Sequence, residues 1–233
     1  MVPVVGISTR SVTLPARKDV FRGVFTSYID CLRSSGAEVV LLPPGGTMTL
    51  ARLDALMFVG GEDLATTTYW STGAPVPPVD QERDYEESRL ITAAKVLGLP
   101  VLGLCRGAQL VNCVLGGTIG RLDPLDLPLH GDTTTSDCAV HLVRVAPNTR
   151  LASASGPRDE FLVASRHAAS FGNLGIGLEA SAWATDGSIE AIEACDWPFI
   201  GVQWHPEWDI TESGPDLALF EWLVDQAKQR IPR

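Results

Sequence analysis

Residues 102–110, LGLCRGAQL, place Cys105 between Gly103 and Gly107, two positions away on either side. G-x-C-x-G has the spacing of a strand–turn–helix nucleophile elbow, with cysteine where serine is more familiar. A nucleophile raised above a sharp turn brings neighbouring backbone too close for side chains, so glycine is wanted at both flanks. The segment RGAQLVNCVLGG (106–117) would then start a helix whose first N–H groups face the sulfur and favour thiolate. The chemistry would be attack on a carbonyl and transfer of an acyl group. Spacing alone leaves open a buried structural cysteine, a common fate for a lone Cys.

A cysteine nucleophile needs a base and a group to orient it. GVQWHPEW (201–208) offers both. Ile200 and Val202 supply the apolar face of a strand that delivers His205 at its end. In extended chain, residues two apart point the same way, so Glu207 can reach the imidazole, fix its tautomer and support the imidazolium. Taken singly, His205 also reads as an exposed loop histidine. Acyl transfer needs donors for an oxyanion as well. FVGGEDL (58–64) puts Gly60 and Gly61 at a strand end, where backbone can approach a ligand. The N–H of Arg106 is the expected second donor beside that of Gly61. The glycine pair taken singly reads as a plain turn.

The elements that must carry these residues are visible as patterns. PVVGIS, EVVLLP, ALMFVGG and LPVLGLC are short apolar runs closed by glycine, proline or a small polar residue, as expected of parallel strands buried on both faces. Between them, residues 21–35 carry Phe21, Val24, Phe25, Tyr28, Ile29 and Leu32 at helical spacing. DYEESRLITAAKVLG opens with acids and ends at Lys95 and Gly98, suiting a helix dipole and a C-terminal stop. Alternating strand and helix predicts a doubly wound α/β sheet with helices on both faces. In the second half HLVRVAP, EFLVAS, EASAWAT and SIEAIEA read as strands without long helices between them, with a hairpin turn at Asp186-Gly187. This predicts an antiparallel addition to a mostly parallel sheet. FIGVQW is a further strand, PDLALFEWLVDQAKQR a closing amphipathic helix, and residues 71–80 a proline-rich loop. A single domain over 1–233 is the simplest organisation.

Composition narrows the partners. A formal net charge of −10 disfavours nucleic acid and anionic membrane, which both need a positive field. No apolar run approaches the roughly 20 residues that span a bilayer, and MVPVVGISTR lacks the pattern of a secretory signal. Five cysteines, odd in number and without paired metal-type spacing, argue against a disulfide framework or a zinc site and for a reducing cytoplasm.

Together GLCRGAQLVNCVLGG, FVGGEDL and GVQWHPE resemble the class I glutamine amidotransferases, and within them the stand-alone γ-glutamyl-γ-aminobutyrate hydrolase (peptidase C26) group. The similarity runs from about residue 4 to 220. Arg106 after the nucleophile, the string DQERDYEESRL (80–90), similar to the group's D-x-x-R-D-x-x-E-x-x-L, and DGSIEAIE before the histidine strand favour that group over synthase glutaminase subunits. The resemblance implies a flavodoxin-like class I amidotransferase fold and a Cys105–His205–Glu207 triad. It implies hydrolysis of a γ-glutamyl amide through a γ-glutamyl thioester, with no metal and no organic cofactor.

Other positions match unevenly. Gln109 matches the Gln of C-x-G-x-Q, one helical turn after the nucleophile on the same face, and is expected to hold the glutamyl head group beside Gly60. Arg83 and Asp84 match the charged string but also suit an acidic helix start. SRHAAS (165–170) matches a substrate-side S-x-H-x-Q segment at Ser165 and His167, with Ala169 where the group has glutamine. In GG-x-D-x-x-P-x-x-Y, Asp63 and Tyr69 match while Thr66 replaces proline. These departures leave the amine side of the substrate open, and Ala169 favours an amine bulkier or less polar than γ-aminobutyrate. His141 reads as structural, Cys113 as packed against the sheet, and Cys31, Cys138 and Cys195 have no partner logic. His130 has no clear role, and Trp70, Trp204 and Trp208 read as core or pocket wall. The expected partner is a small-molecule γ-glutamyl amide, with a homodimer as a possible assembly. Three alternatives remain: a glutaminase subunit feeding ammonia to a separate synthase, a γ-glutamyl peptidase or transferase, and a non-catalytic scaffold of the same fold.

Overall fold

The computed structural model describes residues 1–13, 19–45, 50–131, 138–208 and 214–230. In chain order the elements are β1 (Val4–Ser8), β2 (Arg10–Thr13), β3 (Val20–Gly23), α1 (Thr26–Ser34), β4 (Glu38–Leu42), β5 (Ala55–Phe58) and β6 (Trp70–Thr72). Then come α2 (Gln81–Leu97), β7 (Val101–Leu104), α3 (Arg106–Val114), β8 (Ile119–Arg121), α4 (Leu127–His130), β9 (Ala139–Val145) and α5 (Arg150–Ser155). The last are β10 (Glu160–Ser165), β11 (Ala169–Phe171), β12 (Leu178–Ala184), β13 (Ile189–Ala194), β14 (Phe199–Val202) and α6 (Pro215–Arg230).

Nine strands form one sheet in the order β10-β9-β12-β13-β14-β7-β5-β1-β4. From β14 to β4 every neighbouring pair is parallel, and from β10 to β14 every pair is antiparallel. The parallel strands are the predicted apolar runs. Each of β5, β7 and β14 is buried at every residue, because helices cover both faces. On one face α1 and α6 pack Tyr28, Leu32, Leu219, Phe220 and Leu223 against Val5, Ile7, Met57, Leu102 and Val202. On the other, α2 and α3 pack Ile91, Ala94, Leu110 and Val111 against Leu56, Phe58, Val101 and Phe199. This is the α/β architecture with an antiparallel addition that the patterns predicted. The Asp186-Gly187 hairpin is present, with Gly187 at φ 90° joining β12 to β13.

Two local expectations change. The helix expected over 21–35 begins only at Thr26, and residues 20–23 pair with 10–13 as a hairpin arm. The arm is held from outside its own sequence. Ser11 and Arg22 both bond the Asp80 carboxylate, and Asp80 also caps α2 by accepting from Arg83 N–H at 3.1 Å. The expected proline-rich loop is partly ordered: β6 joins β8 and β11 in a three-stranded sheet beside the main one. Asp63 ties that region down, pairing with Arg121 and accepting from Val76 N–H at 2.8 Å.

Candidate active site

Cys105 stands between the last residue of β7 and the first of α3. Its N–H donates to Val202 O at 2.7 Å, and its carbonyl accepts from Gln109 N–H at 3.1 Å. It therefore belongs to strand and helix at once, and the backbone must turn within one residue. Its φ of 49° and ψ of −111° are the result. A non-glycine residue at positive φ is strained by about 1–3 kcal/mol, held only because both neighbours fix it. The flanking glycines are required by contact. A Cβ on Gly107 would fall on the Phe58 carbonyl, and one on Gly103 would lie 2.9 Å from the Ala108 backbone. Gly107→Ala is expected to destabilise the fold by about 1–3 kcal/mol, as overpacking does. Chemical denaturation measures it, and an unchanged midpoint and slope would remove the close approach from the account.

His205 follows β14, its N–H donating to Ala164 O at 2.8 Å. The predicted pairing with Glu207 is present, His205 Nδ1 to Glu207 Oε1 at 2.8 Å. The route to it differs from the extended-chain argument: Trp208 N–H donates back to His205 O at 3.1 Å, so the pair meets across a turn. Trp208 also stacks on the imidazole, ring centres 4.0 Å apart and 7° from parallel. Burial pushes the His205 imidazolium toward the neutral form. Glu207 and then Cys105, charged and hydrogen-bonded to the ring, outweigh that and raise its pKa to about 10. Cys31 and Cys113 are different: burial pushes each thiol up to about 12, so both stay protonated at neutral pH.

Gly60 lies against the pair. A Cβ there would come 2.9 Å from His205 Cε1 and 3.6 Å from Cys105 Cβ, so only glycine lets β5's end reach nucleophile and base. Tyr28, read in the sequence as part of an apolar helix face, brings its hydroxyl to the same spot. It faces Glu207 and the Gly60 backbone, and burial with the Glu207 charge keeps the phenol well above its usual pKa. Nothing local in the sequence separates this tyrosine from its apolar helix neighbours.

The charged string proves structural at close range to the site. Arg83 is fully buried. It donates from Nη2 to Val59 O at 2.8 Å and from both terminal nitrogens to Gly60 O at 3.2 Å, with Nε on Glu87 at 2.8 Å. Arg106 turns its side chain into the same layer, paired with Glu87 and Asp84. Burial raises the Glu87 carboxyl, but Arg106 and Arg83 pull it below the usual carboxylate range. Two guanidiniums and two carboxylates thus anchor the Gly60-Gly61 turn from beneath. Asp84 Oδ2 also accepts from Ala65 N–H at 2.7 Å.

Gln109 is buried, its amide nitrogen donating to Ala169 O at 2.9 Å and Gln203 Oε1 at 3.1 Å. Its amide oxygen is what remains to offer a ligand. Ser165 and His167, expected at the substrate, make bonds within the protein. The Ser165 hydroxyl donates to His130 O at 3.2 Å. The two His167 ring nitrogens lie 3.0 Å from Ala169 O and 3.3 Å from Glu190. Ala169 is buried in β11 and contributes its carbonyl rather than its side chain. Trp204 is core, its indole N–H on Asp216 at 2.9 Å.

The Peptidase C26 family model matches residues 3–207. The chain belongs to the Peptidase C26 family. Among its relatives, a Mycobacterium tuberculosis protein provisionally named glutamine amidotransferase Rv2859c is 37% identical over 211 residues, 86% of this chain and 66% of that protein. The γ-glutamyl-γ-aminobutyrate hydrolase of Escherichia coli O157:H7 is 28% identical over 223 residues, 88% of this chain and 86% of that protein. In three dimensions a glutamine amidotransferase from Thermotoga maritima superposes with a TM-score of 0.62 at 17% identity, covering 88% of this chain and 76% of that one. The fold is that of the class I glutamine amidotransferases, and the chain is a glutamine amidotransferase-like hydrolase of Peptidase C26. Among the described residues no helix is long and apolar enough to cross a membrane.

Proposed function

We propose that this chain hydrolyses the amide bond of a γ-glutamyl amine, releasing glutamate and the free amine through a γ-glutamyl thioester on Cys105. The observation that carries the reading is the strained Cys105 elbow set against a His205–Glu207 pair. His205 takes the proton from Cys105, or the two rest as an ion pair, and the raised His205 pKa favours the protonated ring that either route requires. The thiolate attacks the γ-carbonyl and forms a carbon–sulfur bond. The carbonyl π electrons move to oxygen, where the N–H groups of Gly61 and Arg106 receive them. As the tetrahedral intermediate collapses, His205 gives its proton to the departing nitrogen and the carbon–nitrogen bond breaks. Water, losing a proton to the now neutral His205, adds to the thioester carbonyl. Collapse breaks the carbon–sulfur bond, yielding glutamate and restoring the ion pair. Glu207 holds the ring throughout, and the Gln109 amide oxygen with the Gly60 backbone positions the glutamyl group.

A panel tests substrate and mechanism together: γ-glutamyl-γ-aminobutyrate, γ-glutamyl amides of larger and aromatic amines, glutathione and free glutamine. Turnover of one or more γ-glutamyl amides well above glutamine is expected, with glutamate and amine released in equal amounts. Glutamine as the sole substrate, with ammonia retained only when a partner is added, would assign the chain to a synthase instead. Transfer of the glutamyl group to a second amine in place of water would make it a transferase.

A further inference from the structure

The three histidines outside the acyl-transfer site converge on one carboxylate. Glu190 on β13 is fully buried. Around it stand His130 at the end of α4, His141 on β9 and His167 between β10 and β11, each no more than 3% exposed. His130 Nδ1 and His167 Nε2 lie 3.1 and 3.3 Å from Glu190 Oε1, and His141 Nε2 lies 3.6 Å from Oε2. None of these five atoms makes a well-directed hydrogen bond, and what they share is ion-pair distance to one another. The opposite nitrogen of each ring does make one. His130 Nε2 meets Asp186 Oδ2 at 2.8 Å, His141 Nδ1 meets Leu129 O at 2.9 Å, and His167 Nδ1 meets Ala169 O at 3.0 Å.

A backbone carbonyl or an ionised carboxylate only accepts, so the outer nitrogen of each ring carries the proton. In its neutral form each ring then aims a lone pair inward at the buried carboxylate. That arrangement is repulsive unless a positive charge, a metal ion or the second proton of an imidazolium, lies among them. It is also how metal-binding histidines are oriented, the outer N–H fixed by a carboxylate or carbonyl and the inner nitrogen left free. The spacing agrees. Ligand atoms at about 2.0–2.1 Å around tetrahedral zinc lie about 3.3–3.4 Å apart. His130, His167 and Glu190 present ligand atoms all within 4.8 Å of one another.

We propose that His130 Nδ1, His167 Nε2 and Glu190 Oε1 bind one zinc ion, with His141 closing the set from the side of Glu190 Oε2. Charge supports a divalent ion, since Glu190 and Asp186 bring two negative charges to the cluster. Imidazole and carboxylate without thiolate suit zinc and its neighbours in the first transition row. The site is structural: it ties α4 and the β10–β11 connection to β9 and β13. It touches the active site through Ala169, whose carbonyl accepts from both His167 and Gln109. The zinc site that cysteine spacing argued against is thus assembled from histidines and a glutamate sixty residues apart along the chain, between positions 130 and 190.

The test uses the full chain without a histidine tag, carrying Cys138→Ser and Cys195→Ser because both thiols are exposed and free. Chelator-stripped protein is titrated with Co²⁺ and then Zn²⁺. One equivalent of Co²⁺ should give the intense visible bands of a four-coordinate site, lacking the ultraviolet thiolate-to-cobalt band that Cys105 ligation would produce. Zn²⁺ should displace it, and either metal should raise the melting temperature. His130→Ala, His167→Ala and Glu190→Gln should each abolish stoichiometric uptake. The proposal is overturned if the parent protein takes up no stoichiometric metal or shows only the weak spectrum of six-coordinate aqueous cobalt. A thiolate band, or uptake that survives His130→Ala combined with His167→Ala, overturns it equally. Should the variants not fold, the cobalt spectrum of the parent decides.

Discussion

Cys105→Ala is expected to yield a folded protein with no measurable turnover of any γ-glutamyl amide, a loss on the order of 10⁶-fold in kcat, as in other nucleophile deletions within a triad. The thioester has no other origin in this site. Cys31 and Cys113 are buried thiols pushed up to about 12, and neither lies on a strained turn. The fold should persist because alanine keeps the Cβ and the backbone bonds to Val202 and Gln109 do not involve the sulfur. A companion variant separates strain from chemistry. Cys105→Gly, equally inactive, should be at least as stable as Cys105→Ala, since glycine occupies a φ of 49° without the Cβ conflict. Mass spectrometry of the wild type quenched during turnover should show the chain heavier by one glutamyl group, and both variants should show none. Residual γ-glutamyl hydrolysis by Cys105→Ala in a tag-cleaved, repurified sample would end the thioester mechanism.

The parts of this molecule that were legible in the sequence are those whose cause is local. Strands β1, β5 and β7 read as continuous apolar runs because helices cover both their faces. Helix α2 announces its end through a left-handed Gly98, while its start lies at Gln81 behind the Asp80 cap, three residues before the acidic opening expected at Asp84. The Cys105 elbow and the His205–Glu207 contact were legible because an elbow needs glycines at fixed offsets and the carboxylate lies two residues after the histidine. What was hidden depends on distant partners. Phe21 sits at helical spacing with Val24 and Phe25, yet its segment is a hairpin arm because Ser11 and Arg22 bind Asp80. Strands β6, β8 and β11 have three residues each, too few to show alternation. Arg83 and Glu87 look like an ordinary i,i+4 surface pair until the fold buries them beneath Gly60. Ser165 and His167 were placed at the substrate by resemblance, while their atoms serve His130, Ala169 and Glu190, a grouping no spacing rule anticipates.

His205→Asn should be nearly as damaging as loss of the sulfur, about 10⁵–10⁶-fold in kcat, since His205 is the base proposed for both proton transfers and asparagine cannot replace it. Glu207→Gln should cost less, about 10³–10⁴-fold, and its pH profile carries more information than its rate. In the wild type, burial works against the imidazolium and Glu207 is the largest force sustaining it, giving a pKa of about 10. Catalysis needs the protonated ring for the leaving amine, so kcat/KM should hold through neutral pH and fall as pH rises through about 10. The stability linkage has the same sign. A histidine pKa raised on folding contributes fully below the ordinary value near 6.5 and is lost as pH climbs to about 10. Replacing Glu207 by a neutral amide removes that support while burial remains. The alkaline limb should therefore move to lower pH, and the alkaline fall in stability should begin earlier. Glutamine also offers the ring an N–H where Nδ1 needs an acceptor, which favours the wrong tautomer and accounts for the rate loss. If Glu207→Gln kept both the wild-type rate and the alkaline limb, the carboxylate that orients His205 would have to be sought elsewhere.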